Sequence, residues 1–205
     1  MYQRILTGMS IIAVLSGCAS MNQSQCVQAD WRMIGAEDGS RGIASNNIGT
    51  YRKACAKHNV SPDLAEYRRG YQEGLASFCT EYMGFSKGRS GYNYSGVCPG
   101  ELERDFLAGY RAGKELYEVD REIRQIRSQI SHNIAKMDQN KATINDKLAL
   151  IADSEALELD RITAVVDIKD LQEMQLEIEA ANVSLAEDLK SMEYQLTELE
   201  VANNY

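Results

Sequence analysis

The chain has 205 residues, with 22 Lys and Arg against 30 Asp and Glu and a formal net charge of −8. That length holds one modest domain and an extension, and the acidic balance excludes the clustered cations that nucleic-acid phosphates require. Charge is also unevenly placed: residues 27–114 carry 12 basic and 10 acidic side chains, a net of +2, whereas residues 115–205 carry 9 and 20, a net of −11. No glycine follows Gly113 and no proline follows Pro99, so a boundary is predicted near residue 114.

Residues 1–17 read as a secretory signal. Arg4 supplies the positive start, and Ile5 to Leu15 is an apolar run too short to span a bilayer as a stable helix. The run closes on Leu15-Ser16-Gly17-Cys18, a lipobox that predicts cleavage before Cys18 and lipid on its new amino terminus. One acyl chain anchors only marginally, at about 0.8 kcal/mol per buried CH₂, and several anchor stably. The membrane partner is therefore reached through Cys18. Ala19 and Ser20, rather than an Asp, follow it, which favours the periplasm-facing leaflet of a Gram-negative outer membrane. Residues 18–25 form a polar, lipidated tether.

Residues 26–114 are predicted to form a small helical domain. Its four cysteines, Cys26, Cys55, Cys79 and Cys98, read as two disulfides in an exported chain. Three pairings exist, and Cys26–Cys55 with Cys79–Cys98 is favoured because each closes a loop within an apparent helical pair. The spacing has no C-x-x-C, which argues against zinc and against a redox pair; no metal and no cofactor are expected. Helices are predicted near 28–38, 47–58, 63–78 and 81–88. Asn47 is the candidate cap of the second, and Asp63 with Glu66 forms a candidate capping box for the third.

Glycines recur four apart through this domain: Gly35 and Gly39 after Trp31, Gly70 and Gly74 after Tyr67, Gly84 and Gly88 around Phe85, and Gly109 and Gly113 after Phe106. Positions four apart share one helix face. Because Gly in a helix costs about 1 kcal/mol against Ala, several such pairs imply close helix packing. The same motif in an apolar span would suggest membrane helix association, but Arg32, Glu37, Arg68, Arg69, Glu73 and Arg111 rule out insertion.

The 84–97 segment concentrates glycines, tyrosines and cations, so Lys87, Arg89, Tyr92 and Tyr94 are the candidate binding residues, for an envelope glycan or a small anion. Catalytic signatures are absent: His58 and His132 are the only histidines, and there is no G-x-S-x-G, H-E-x-x-H or P-loop. Glu37-Asp38 and Glu101/Glu103/Asp105 read as solvated acids at helix starts. An enzyme is not expected.

Residues 115–200 read as an acidic coiled coil. Leu116, Ile123, Ile130, Met137, Ile144 and Ile151 recur at sevens, as do Leu171, Ile178, Leu185, Met192 and Leu199. The two runs differ in register, with the discontinuity around Ala152–Lys169. Lack of Gly and Pro favours one long helix with a skip; a helical hairpin is the alternative. Asn133 and Asn140 fall at seam positions. Such a stripe needs a partner, either a second copy or another envelope protein.

The ordered motifs Asp30-Trp31-Arg32, Gly35-x-Glu37-Asp38-Gly39, Arg52-Lys53-Ala54-Cys55, Tyr67-Arg68, Gly70…Glu73-Gly74, Cys79-Thr80, Gly88-Arg89-Ser90-Gly91 and Cys98-Pro99 resemble a bacterial lipoprotein family, number 2799 among the domains of unknown function. The resemblance covers about 18–118. It implies a periplasm-facing lipoprotein and no known activity, and the coiled coil lies outside it. The sequence thus predicts an all-α, lipid-anchored envelope protein: a disulfide-stapled helical domain followed by a long coiled coil, with a structural or protein-interaction role.

Overall fold

The computed structural model describes residues 21–203, so the leader 1–17 and Cys18 lie outside the described residues. These are all-α, with no strand among them. In chain order the helices are α1 (Gln23–Gln28), α2 (Trp31–Ser40), α3 (Ile48–Ala56, preceded by a 3₁₀ turn at Ser45–Asn47), α4 (Leu64–Phe78), α5 (Glu81–Arg89), α6 (Gly100–Ala152) and α7 (Glu158–Ala202). The helix predicted near 28–38 is α2, which starts at Trp31, and a separate short helix, α1, precedes it. Ala29 is extended, and the Asp30 carboxylate accepts from the Met33 N–H at 3.0 Å to start α2 afresh.

Contacts divide the chain elsewhere than at residue 114. Among the described residues, one compact unit comprises 21–79 with Ser95–Glu103, and the other comprises Thr80–Tyr94 with 104–203. Each contains one pair of helices joined through glycines.

In the first unit α2 packs on α4. A Cβ on Gly35 would sit 2.1 Å from the Tyr67 carbonyl oxygen, and one on Gly39 2.3 Å from that of Tyr71. In return, Cβ atoms on Gly70 and Gly74 would sit 1.8 Å and 2.1 Å from the carbonyl oxygens of Arg32 and Ala36. The glycines are therefore needed for backbone-to-backbone approach, the packing role that their spacing predicts. Arg32 adds a forked ion pair to Glu73 at 2.5 and 3.2 Å. Both side chains are half exposed, so water screens much of that attraction.

The second unit repeats the device with α5 and α6. Cβ atoms on Gly84 and Gly88 would sit 2.0 and 2.2 Å from the Phe106 and Tyr110 carbonyl oxygens, and those on Gly109 and Gly113 2.0 and 2.1 Å from those of Glu81 and Phe85. The correspondence extends beyond the glycines. Gly42 at φ +69° lies against the Phe78 ring, and Gly91 at φ +73° against the Tyr117 ring. The Tyr71 hydroxyl donates to the Ile43 carbonyl at 2.8 Å, and the Tyr110 hydroxyl to the Tyr92 carbonyl at 2.8 Å. The rings of Tyr67 and Tyr71 stack at 6.1 Å, those of Phe106 and Tyr110 at 6.0 Å. The two units hold copies of one structural motif: a glycine-faced helix, a left-handed glycine turn, and a second glycine-faced helix whose tyrosine hydroxyl ties down the residue after the turn.

Two disulfides staple this arrangement, Cys26–Cys55 and Cys79–Cys98, with Cα–Cα distances of 5.5 and 5.6 Å. This is the favoured pairing. Each bridges the stretch before the first helix of a motif to the connection that leads towards the second.

The acidic region is a hairpin, not the single long helix that the lack of Gly and Pro favoured. An Asx turn breaks the helix: the Asp153 side chain accepts from the Glu155 N–H at 2.9 Å, and Leu157 is extended before α7 resumes. Glu158 and Asp160 then suit the positive start of α7. Antiparallel pairing is fixed by Arg127–Glu193 at 2.7 Å, Lys147–Asp167 at 2.5 Å and the Asn133 amide donating to the Asn182 side-chain oxygen at 2.7 Å. Leu116, Val119, Ile123, Ala164 and Ile178 are buried along the seam. Asn140 is buried there too, and its Nδ2 has no hydrogen-bond partner. None of the described helices is long and apolar enough to cross a membrane.

Candidate functional site

The first unit carries a feature that its copy lacks. Tyr67 follows Ile43 by 24 positions, whereas Phe106 follows Tyr92 by 14. The longer connection in the first unit forms the 3₁₀ turn and α3, which stand beside α4. Between them lies a cleft of about 390 Å³ lined by Ser45, Asn46, Ile48, Gly49, Arg52, Leu64, Tyr67, Arg68 and Tyr71. That volume lies within the range of small-molecule sites. The lining is mostly apolar and includes Arg52 and Arg68 but no acidic residue.

Behind the cleft is a buried carboxylate. Asp38 accepts from the Tyr67 hydroxyl at 2.7 Å, the Asn47 amide at 2.9 Å and the Tyr51 hydroxyl at 3.2 Å. These four side chains tie α2, the 3₁₀ turn, α3 and α4 together. A buried charge without a cation is retained only where hydrogen bonds replace its water, and three donors do so here. Burial, reinforced by the bond to Asp38, pushes the Tyr67 hydroxyl far above its usual pKa. Tyr51 is raised by burial and then by the negative charge of Asp38. Asp38 is thus not the solvated helix-start acid that Glu37-Asp38 suggested. It occupies the last turn of α2, where the helix faces α3 and α4. Asn47 likewise makes no cap bond to α3: its backbone is already helical, and its side-chain amide donates to Asp38 and Tyr51 instead. Asp63 does cap α4, accepting from Ala65 and Glu66 N–H groups, while Glu66 itself pairs with Arg69.

The residues singled out in the 84–97 segment sit in the second unit and are engaged there. Lys87 lies over the Tyr92 ring at 5.2 Å, and Arg89 pairs with Asp120 and Glu200. Tyr94 packs on Phe106 at 4.6 Å, and the Tyr92 carbonyl accepts from Tyr110. Lys87 and Arg89 belong to the last turn of α5, not to a loop. Their charges and rings hold this unit's own motif together.

The glycine-paired motif and its buried Asp38–Tyr67 link occupy the stretch matched by the model of a family described as "Protein of unknown function (DUF2799)", residues 30–115. The similarity is confined to residues 30–115, less than half of the chain. No curated protein and no solved structure is matched by the chain. The matched stretch spans both glycine-paired helix contacts and the connection that forms the cleft, and it leaves most of the hairpin outside. Arg52 and Tyr67-Arg68 stand among the motifs that carry the resemblance, yet sequence reasoning did not bring them together. The signal available was indirect: an Asn-rich, glycine-containing insertion between the two glycine-faced helices of the first copy, with Arg52 inside it and Arg68 just after it.

Proposed function

We propose that this chain is a lipid-anchored, periplasm-facing envelope protein with a structural or protein-interaction role, in which the α6–α7 hairpin meets the partner. The observation that carries the interaction role is the apolar surface near the hairpin turn. Leu157, Leu159, Ile162, Val165 and Val166 are each more than half exposed. A contiguous apolar patch is costly to leave in water and marks a contact surface. Asp153, Glu155, Glu158 and Asp160 lie beside it in the chain against one cation, Arg161, which favours a partner with a basic rim. The envelope address is supported by the lipobox at Leu15–Cys18 and by two intrachain disulfides, which persist in an oxidising compartment. The role requires no catalysis.

The test is site-specific photo-crosslinking in cells from positions 159 and 166, with position 136 as the control on the same hairpin. A discrete adduct from the turn end and none from the control supports the reading, and its mass distinguishes a second copy from another protein. Equal, diffuse labelling at all three positions overturns it. For the anchor, Cys18→Ala should move the chain from the membrane to the soluble fraction; retention on the membrane refutes lipidation as the attachment.

A further inference from the structure

We propose that the α3–α4 cleft of the first unit binds a small organic oxyanion, a molecule carrying a carboxylate or phosphate group on an apolar body. Four observations converge on this. First, Arg52 and Arg68 both line the cleft, and neither has an ion pair or hydrogen bond among the described residues. Both are exposed, so their charged heads are open to solvent and to a ligand. A guanidinium presents a planar fork of donors suited to an oxyanion. Second, the residues that line the cleft include no acid, and the one carboxylate behind it, Asp38, is turned away onto three donors of its own. Third, Ile48, Leu64, Tyr67 and Tyr71 give an apolar wall, and Ser45 and Asn46 add short polar groups at its edge. Fourth, the wall is pre-set. Tyr67 is held by Asp38 and Tyr71 by the Ile43 carbonyl, so both stacked rings are fixed before any ligand arrives. Pre-organisation lowers the entropic cost of binding.

The second unit supplies an internal contrast. It has the same paired helices, but its shorter connection contains no counterpart of α3. Leu107 follows Phe106 where Arg68 follows Tyr67. The cleft is therefore an addition to one copy of the motif and not a by-product of the glycine packing. Gly49 borders the cleft with open space beyond it: a Cβ there would meet nothing within 4 Å.

Titration calorimetry of the full chain in detergent, at constant ionic strength, tests this with three probes. N-acetyl-L-phenylalanine carries the carboxylate, phenyl phosphate carries the phosphate, and N-acetyl-L-phenylalaninamide is the neutral control. Binding of either anion, with the amide at least tenfold weaker, is the expected result, and the tighter anion identifies the head group. Arg52→Gln and Arg68→Gln should each weaken that anion roughly tenfold or more, the loss typical of one charged hydrogen bond. Arg111→Gln, in the other unit, should leave it unchanged. Gly49→Leu should block the cleft without touching either charge, with Trp31 fluorescence confirming the native fold. Three results overturn the proposal: neither anion binds, the amide binds as well as the acid, or both arginine variants bind like the parent. None of these bears on the crosslinking of the hairpin, so the two readings stand or fall separately.

Discussion

Replacing Gly70 by Ala puts the packing argument at greatest risk. Its Cβ would lie 1.8 Å from the Arg32 carbonyl oxygen and 2.6 Å from the carbonyl carbon, where real Cβ contacts stay beyond 3.0 Å. The obstacle is backbone on the opposite helix, so no rotamer change relieves it, and α2 and α4 must separate by about 1 Å. A gap of that size forfeits roughly a quarter to a half of each dispersion contact along the interface. Overpacking of this kind costs about 1–3 kcal/mol. Against it stands the intrinsic gain of about 1 kcal/mol for Ala over Gly in a helix. The clash is with rigid backbone at more than one atom, so the upper end of the cost applies and the net loss is about 2 kcal/mol. Gly49→Ala is the matched control: it gains the same helix preference with nothing within 4 Å to strike, so it should stabilise by about 0.5–1 kcal/mol. Urea unfolding followed at Trp31, the sole tryptophan, reads both changes, since Trp31 starts α2 and lies 6.2 Å from the Tyr51 ring. If Gly70→Ala is neutral or stabilising, the close approach of α2 and α4 is wrong.

Three further outcomes follow from the same contacts. Asp38→Ala should destabilise the first unit by about 1–3 kcal/mol, because the buried Tyr67 hydroxyl loses its acceptor, and Asp38→Asn, which keeps one oxygen, should lose less; urea midpoints decide, and equal stability of Asp38→Ala and the parent would contradict the network. Tyr67 holds its proton above the usual value of 10, so the folded state binds more protons than the unfolded chain once the pH passes 10. Its contribution is therefore full below pH 10 and falls by about 1.4 kcal/mol per unit above it; Tyr67→Phe should show a shallower alkaline decline in denaturant-measured stability, and parallel curves would refute the shift. Asn140→Leu should raise the thermal midpoint of the hairpin followed by helix circular dichroism, because it removes a buried amide nitrogen without a partner, a change of about 1–3 kcal/mol; a lowered midpoint would mean that the amide is satisfied.

The helical class and the glycine faces were legible because each rests on short-range chemistry, whereas the cysteine pairing, over separations of 29 and 19, was one of three that the sequence allowed. Glycines four apart share a face whatever they pack against, and a heptad stripe demands burial whatever covers it. Asp63 was readable as a cap for the same reason, since its partners lie two and three residues away. What covers each face was not legible. The gap of 20 between Ile151 and Leu171 marked a change of register, but a hairpin and a skip differ only in whether Asp153 turns the chain, and an Asx turn without glycine or proline leaves a weak imprint. The residues 84–97 drew attention through composition alone, and their cations proved to be paired within the second unit. Asp38 shows the limit most directly. Its donors Tyr51 and Tyr67 lie 13 and 29 positions away, and nothing local separates it from its exposed neighbour Glu37. The chain's order of residues determines the helical class and the faces that must be hidden. Only folding decides which charges are buried, which are spent on one another, and that Arg52 and Arg68 line one cleft with no partner of their own, because those outcomes depend on side chains meeting across elements distant in sequence.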